Sequence, residues 1–316
     1  MAQAGATRSG TAVCGRPPGR RQTSCAMTLP IGVEAVSFRY PDGTQALEDV
    51  DLLVERGERL AIIGQNGSGK STLVRQFNGL LRPTSGRVLI DDVDAAAQHV
   101  AHLAAKVGLV FQNPDRQIFA AKVRSEVAFG PRNLGMTATE LERAVYAALE
   151  SVGLTDQADT NPYDLGYSRR KLLALASILA MRTPIVVLDE PTTGQDARGV
   201  ARIQQIVAEL AEAGRTIITI SHDMRFVAES FERVIVMRAG QIILDGTPAE
   251  VFAEAAWPAL ATTYLEPPLP ARVGANAGVG ATPTEAVLVA SLAALGNASA
   301  IDAPNVDTPN ADGRNG

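Results

Sequence analysis

Cysteine is almost missing from this 316-residue chain, which has only Cys14 and Cys25. Their spacing fits no metal or redox motif, and two are too few for a disulfide framework. They read as incidental free thiols in a reducing compartment. A basic excess is missing too. The formal charge is −5, without the cationic footprint that dominates nucleic-acid binding. Long hydrophobic runs are also absent. The longest apolar stretches, Leu172 to Met181 and Ala286 to Leu295, fall short of the roughly 20 residues that span a bilayer. The chain is therefore expected not to cross a membrane itself, leaving any membrane work to partner subunits. No internal repeat is visible.

What the chain has is apolar content, 46% of residues, enough for a sizeable core. Residues 1 to about 29 carry Arg8, Arg16, Arg20 and Arg21 and no acidic residue. That stretch has no apolar h-region, which argues against a secretory signal. An Arg-rich, acid-poor start can mimic a transit peptide; the reading preferred is a disordered extension, or an upstream start with Met27 the true one. The body runs from about 30 to 265. Val50, Leu52 and Val54 alternate with acidic neighbours, a half-buried strand ending at the turn Arg56-Gly57-Glu58. Leu60 to Ile63, Val107 to Phe111, Ile185 to Leu188 and Thr216 to Ile220 are short apolar runs suited to central strands covered on both faces. Helical patterns lie between them, over Thr139 to Val152, Ser168 to Met181 and Asp196 to Ala213. Strands alternating with helices predict an α/β domain with a largely parallel sheet. Residues 266–316 are rich in Ala, Gly, Pro and Asn and predict a low-complexity, mostly disordered tail, with one short helix over Thr284 to Leu295.

The strand Leu60 to Ile63 runs into Gly64-Gln65-Asn66-Gly67-Ser68-Gly69-Lys70-Ser71, a full match to the phosphate-binding G-x-x-x-x-G-K-[ST] loop, and a helical pattern follows from Ser71 and Thr72. Strand, loop and helix in that order are the context the motif requires. Glycines let successive backbone N–H groups turn inward around phosphate oxygens, and the helix N-terminus adds partial positive charge. Lys70 is placed for the β- and γ-phosphates of a nucleotide and the Ser71 hydroxyl for Mg²⁺. Downstream, Ile185-Val-Val-Leu188 ends in Asp189-Glu190. Asp189 is placed to hold the Mg²⁺ shell, and Glu190, one residue on, to polarise water for attack on the γ-phosphate.

These motifs, in this order over about residues 31 to 265, resemble the ATP-binding cassette (ABC) ATPases. The resemblance implies a P-loop NTPase with a RecA-like core, an antiparallel β subdomain and an inserted helical subdomain at about 113–170. It implies ATP and Mg²⁺ as ligands. Tyr40 matches the aromatic that stacks on adenine, Gln112 the glutamine that contacts Mg²⁺ and the attacking water, and His222 the histidine that senses the γ-phosphate. Gly194-Gln195-Asp196 matches the D-loop, with Gln195 where leucine is commoner. The helical subdomain and the glutamine loop are, in that family, where coupling helices of membrane partners dock.

The family's Leu-Ser-Gly-Gly-Gln signature aligns with Leu165-Gly166-Tyr167-Ser168-Arg169, where only the leucine matches. Tyr167 puts a bulky side chain where glycine admits close backbone approach, and Arg169 a charge where glutamine is usual. Two expectations follow. The favoured one is a degenerate motif in an asymmetric heterodimer, whose partner ATPase supplies an intact signature to this chain's loop. The other is a working variant in which Gly166, Ser168 and the Arg169 guanidinium do the hydrogen bonding.

Phe38-Arg-Tyr40-Pro41-Asp42-Gly43, Val110-Phe111-Gln112-Asn113-Pro114, Thr192-Thr193-Gly194-Gln195-Asp196 and Leu265-Glu266-Pro267-Pro268 are similar to the energy-coupling-factor importers of vitamins and transition metals. That resemblance implies a second ATPase subunit, a transmembrane coupling subunit and a substrate-capture subunit, no nucleic acid, and a peripheral place on the cytoplasmic face of the membrane. The rivals are a soluble ABC protein, disfavoured by a single cassette without sustained heptads, and an ATP-dependent clamp with little turnover. A GTPase lacks support because Asn-Lys-x-Asp is absent.

Overall fold

The computed structural model describes residues 30–301, with the backbone alone from 296. The N-terminal extension expected over residues 1–29, with both cysteines and Met27, lies outside the described residues, as does the tail beyond 301. The strands are β1 (Ile31–Arg39), β2 (Gln45–Val54), β3 (Arg59–Ile63), β4 (Ser85–Ile90), β5 (Val93–Asp94), β6 (Val107–Val110), β7 (Ile185–Asp189), β8 (Thr216–Ile220), β9 (Arg233–Arg238) and β10 (Gln241–Gly246). The helices are α1 (Lys70–Phe77), α2 (Val100–Lys106), α3 (Val123–Asn133), α4 (Ala138–Val152), α5 (Tyr167–Met181), α6 (Ala197–Glu212), α7 (Met224–Ser230), α8 (Pro248–Val251), α9 (Trp257–Ala261), α10 (Leu269–Asn276) and α11 (Glu285–Ile301).

Two sheets organise the fold. One has the order β10-β9-β3-β8-β7-β6. Its members from β9 to β6 run parallel, and β10 is antiparallel at the edge. The other, β2-β1-β4-β5, is wholly antiparallel. The continuous apolar runs have a physical reason here. Along β3, Leu60 and Ile62 enter a core shared with the antiparallel sheet and α1, while Ala61 and Ile63 enter a core shared with α3 to α6. β7 divides likewise, Ile185 and Val187 to the first core and Val186 and Leu188 to the second. Successive side chains point to opposite faces, and both faces are covered.

The parallel arrangement places β3, β6, β7 and β8 with their C-terminal ends at one edge. Within two residues of these ends lie Gly64, Gln112, Glu190 and Ser221-His222, so one edge collects the predicted chemistry. α3, α4 and α5 pack on one another beside the core. A capping box opens α4, where Thr137 accepts from the Glu140 N–H and the Glu140 carboxylate accepts from that of Thr137; Gly153 in the left-handed region (φ 70°) closes it.

The tail expected to be mostly disordered from 266 is corrected over the described residues. α10 and α11 pack against each other, Ala271 is buried in the main core, and fully buried Thr282 donates to Pro270 O at 2.7 Å. Composition hid this because such helices are held by packing rather than by intrinsic propensity. Among the described residues no helix is long and apolar enough to cross a membrane.

Candidate functional site

The phosphate loop leaves β3 through glycines whose backbone no other residue would tolerate. Gly64 has φ 151°, and a Cβ there would lie 2.3 Å from Met237 O. Gly69 has φ 103°, and a Cβ would meet Ala46 O at 2.5 Å. Left-handed or crowded backbone of this kind is what glycine is for. Gly69 is also the N-cap of α1, so the loop discharges directly into a helix N-terminus. Lys70 is 6% exposed and folds over the loop, its Nζ donating to Gly64 O at 2.6 Å and Gln65 O at 2.9 Å. Burial pushes its pKa down, and the carboxylates of Glu190 and Asp189 push it back up. The Ser68 hydroxyl oxygen is buried without a protein partner.

Asp189 ends β7 and is 3% exposed. Burial raises its pKa, against a hydrogen bond from Ser71 and the charges of Arg75, Lys70 and Lys171. Its Oδ1 is buried without a protein partner. A buried carboxylate oxygen with no donor, beside a serine hydroxyl, is a donor set for a hard cation that prefers oxygen ligands. Glu190 follows with φ 53°, left-handed for a residue with a side chain. It is 5% exposed. Its Oε2 accepts from the His222 N–H and the Thr193 hydroxyl, each at 3.3 Å. His222 Nε2 stands 3.2 Å from Oε1, close but outside hydrogen-bond alignment. Burial raises the Glu190 pKa above the usual carboxylate range, and the same cause, with Lys70 nearby, lowers that of His222. The site therefore holds a carboxylate made more basic by burial next to a histidine whose protonation burial disfavours, a pairing suited to accepting a proton from water.

Tyr40, Asn66, Gly67, Gly69, Lys70, Ser71, Thr72, Gln112, Asp189, Glu190 and His222 line one cleft of about 300 Å³, together with Thr44, Gln45, Ala46 and Ile220. Tyr40 stands at its mouth, set edge-on to Phe38 with ring centres 4.9 Å apart and its hydroxyl 2.9 Å from the Thr72 hydroxyl. Gly64, Gln65 and Ser68 shape the loop behind that surface. Gln112 is exposed at the end of β6.

The signature-like residues lie elsewhere. Gly166 is the N-cap of α5, and Tyr167 and Arg169 are exposed. The Ser168 hydroxyl donates to Gln195 Oε1 at 2.7 Å, and Gln195 Nε2 donates to Ser168 O at 3.1 Å. One of the signature positions that depart from the family pattern, Ser168, thus touches the departing D-loop position, Gln195. None of the four signature residues lines this chain's own cleft. Asp196 caps α6, accepting from Gly199 N–H at 2.7 Å.

Sequence reasoning missed two residues. Gln117 accepts from Phe111 N–H at 3.1 Å and donates to Ala174 O and Ser177 Oγ, tying the glutamine loop to α5. Lys171 donates to the main-chain oxygens of Glu190 and Thr193. Neither belongs to a motif; the one available signal is a lysine inside the apolar periodicity of α5.

Fold and site define an ATP-hydrolysing P-loop protein with two sheets and a helical part. Residues 47–193 match the family model described as ABC transporter. The energy-coupling factor transporter ATP-binding protein EcfA of Methanothermobacter thermautotrophicus is 45% identical over 227 residues, 71% of this chain and 73% of that protein. EcfA2 of Symbiobacterium thermophilum is 45% identical over 235 residues, covering 72% and 82%. The solved structure of cbiO1 from Clostridium perfringens, described as part of the ABC transporter complex cbiONQ, is 36% identical with a TM-score of 0.66, covering 80% of this chain and all of that one. The ATP-binding cassette MJ0796, solved as a dimer with ADP and Pi, is 27% identical with a TM-score of 0.63 over 69% and 98%. The chain belongs to the ABC transporter ATPase family.

Proposed function

We propose that this chain is an ATP-binding subunit of an energy-coupling-factor type importer, sited at the cytoplasmic face of the membrane. It hydrolyses ATP in a dimer with a second, different ATPase subunit. A transmembrane coupling subunit and a substrate-capture subunit complete the assembly. The observation that carries the catalytic part is the single cleft joining Lys70, Ser71, Gln112, Asp189, Glu190 and His222. Glu190 takes the proton from the attacking water; His222 steadies that carboxylate and meets the γ-phosphate. Lys70 and the loop N–H groups neutralise the phosphates, and Tyr40 stacks on adenine without hydrogen bonds to the base. Ser71, Asp189 and Gln112 are the residues that would hold Mg²⁺, and the orphaned Asp189 Oδ1 supports that fit. When bound, the ion supplies charge neutralisation at the β- and γ-phosphates.

The importer reading rests on the similarity to the EcfA relatives and cbiO1, and on the short motifs of this chain that resemble that group of importers. Exposed Phe119 and Phe129, stacked edge to face beside the glutamine loop with centres 4.7 Å apart, offer an apolar foothold for the coupling subunit. For the dimer, Gly166, Tyr167, Ser168 and Arg169 serve the partner's nucleotide, with Gly166, Tyr167 and Arg169 exposed, and the heterodimer is favoured because Tyr167 fills the place of a glycine. The decisive experiment compares Glu190→Gln with wild type in the membrane complex purified through a tag on this chain. Loss of turnover with ATP binding retained is expected; unchanged turnover refutes the catalytic assignment. The subunits that co-purify decide the importer reading: a second ATPase with a transmembrane protein is expected, and a complex lacking any membrane subunit overturns it.

A further inference from the structure

Lys171 is a buried cation that does not line the ATP cleft. It is 4% exposed, near the N-terminus of α5, with Leu173 and Ala174 of the core next along the helix. Burial outweighs the favourable charges of Glu190 and Asp189 and brings its pKa down to about 8. Arg169, Arg170 and Lys171 together oppose the partial positive charge of a helix N-terminus. Arg170 has a local explanation, since it donates to Leu165 O and meets Asp115 at 3.1 Å. Arg169 stays in solvent. Lys171 has neither excuse, and for stability alone an apolar side chain of similar length would serve as well. A local rule broken at one buried point marks what that side chain holds as the reason for it.

It holds main chain. Its Nζ donates to Glu190 O and, at 3.0 Å, to Thr193 O. These carbonyls are the two ends of the Glu190-Pro-Thr-Thr193 turn, and Glu190 enters that turn in the left-handed region. On its other side Glu190 is tied to the sheet, its N–H donating to Ile220 O at 2.9 Å. Two clasps extend the junction. One is the reciprocal Ser168–Gln195 pair. The other is the Tyr167 ring against Gly194, where a Cβ would come within 2.9 Å of it.

We infer that Lys171 is a positioning residue, whose ammonium locks the left-handed main chain of Glu190 to helix α5 and so aims the Glu190 carboxylate into the ATP cleft. The inference rests on the assignment of Glu190 as the base. It also makes α5 the lever. The helix end that carries Ser168 and Arg169 is bound, through Lys171, to the residue that performs hydrolysis in this chain's own cleft.

The test is ATP turnover of the tagged membrane complex carrying Lys171→Met, Lys171→Arg, Glu190→Gln, and Glu190→Gln combined with Lys171→Met. Lys171→Met is expected to lower kcat on the order of 10- to 100-fold while KM for ATP stays within about threefold, since misplacing one reacting group costs rate rather than binding. Lys171→Arg, which keeps the charge and the donors, is expected to recover most of the loss. In the Glu190→Gln background, Lys171→Met is expected to leave the residual rate unchanged, because Lys171 acts through Glu190. Wild-type kcat in Lys171→Met overturns the inference, and so does an equal fold-loss in both backgrounds. Should Lys171→Met fail to fold, Lys171→Gln takes its place in both comparisons. If Glu190→Gln itself keeps full turnover, the catalytic assignment fails first; if it is dead while Lys171→Met is fully active, only the positioning role is lost.

Discussion

Removing the Lys171 ammonium should change how stability depends on pH, in a direction the burial dictates. An unfolded lysine titrates near its ordinary 10.5, and in the folded chain Lys171 titrates near 8. Below about pH 8 both states carry the proton, so the cost of burying the charge is present in full. Between 8 and 10.5 the unfolded state binds more protons than the folded one, and stability rises with pH. Above 10.5 the cost is gone. A difference of that size corresponds to about 3 kcal/mol at about 1.4 kcal/mol per unit. Lys171→Met lacks this term. It also leaves two carbonyls without their donor, a loss of about 1–3 kcal/mol that does not depend on pH. Urea unfolding of nucleotide-free wild type and Lys171→Met, at steps from pH 7 to 10.5, isolates the term, because the remaining groups cancel in the difference. Wild type is expected to gain on the variant by up to about 3 kcal/mol across that window. A difference that stays flat with pH would mean that Lys171 is solvated in solution, and the argument from its burial would fail.

Gly64→Ala forces a Cβ to 2.3 Å from Met237 O; fluorescent-nucleotide titration should show affinity reduced more than tenfold. Tyr40→Ala should weaken ATP affinity about 3- to 10-fold through the lost aromatic face. Tyr40→Phe should stay near wild type, since only the Thr72 contact goes, and the same titration reads both. Thr137→Ala breaks the capping box of α4, and thermal unfolding should register a loss of about 1 kcal/mol with nucleotide binding unchanged.

The phosphate loop is legible in the amino-acid sequence because its chemistry is local. Six consecutive backbone positions, a lysine and a serine make the cradle, and the glycines at 64 and 69 are demanded by their own φ angles and near neighbours. The strand ends at Asp189 and at Ile220, just before His222, are legible for a related reason. A short apolar run that stops at a polar residue marks where a covered strand meets its edge. The grouping of Gln112, Glu190 and His222 around that loop needs the parallel order of β3, β8, β7 and β6, which joins residues up to 158 positions apart, from Gly64 to His222. Residues 266–295 mislead by composition, because Ala271 and Thr282 are ordered by what they pack against rather than by neighbours in sequence. The role of Lys171 is not legible in the sequence for the same reason. Along α5 this lysine is one more basic residue beside Arg169 and Arg170, and only the return of β7 beneath that helix turns its ammonium toward the Glu190 carbonyl. Sequence alone thus marks the candidate phosphate loop, whose geometry is short-range. Tertiary structure decides which distant groups surround it and what holds them there, because those contacts form only when strands far apart in the chain lie side by side.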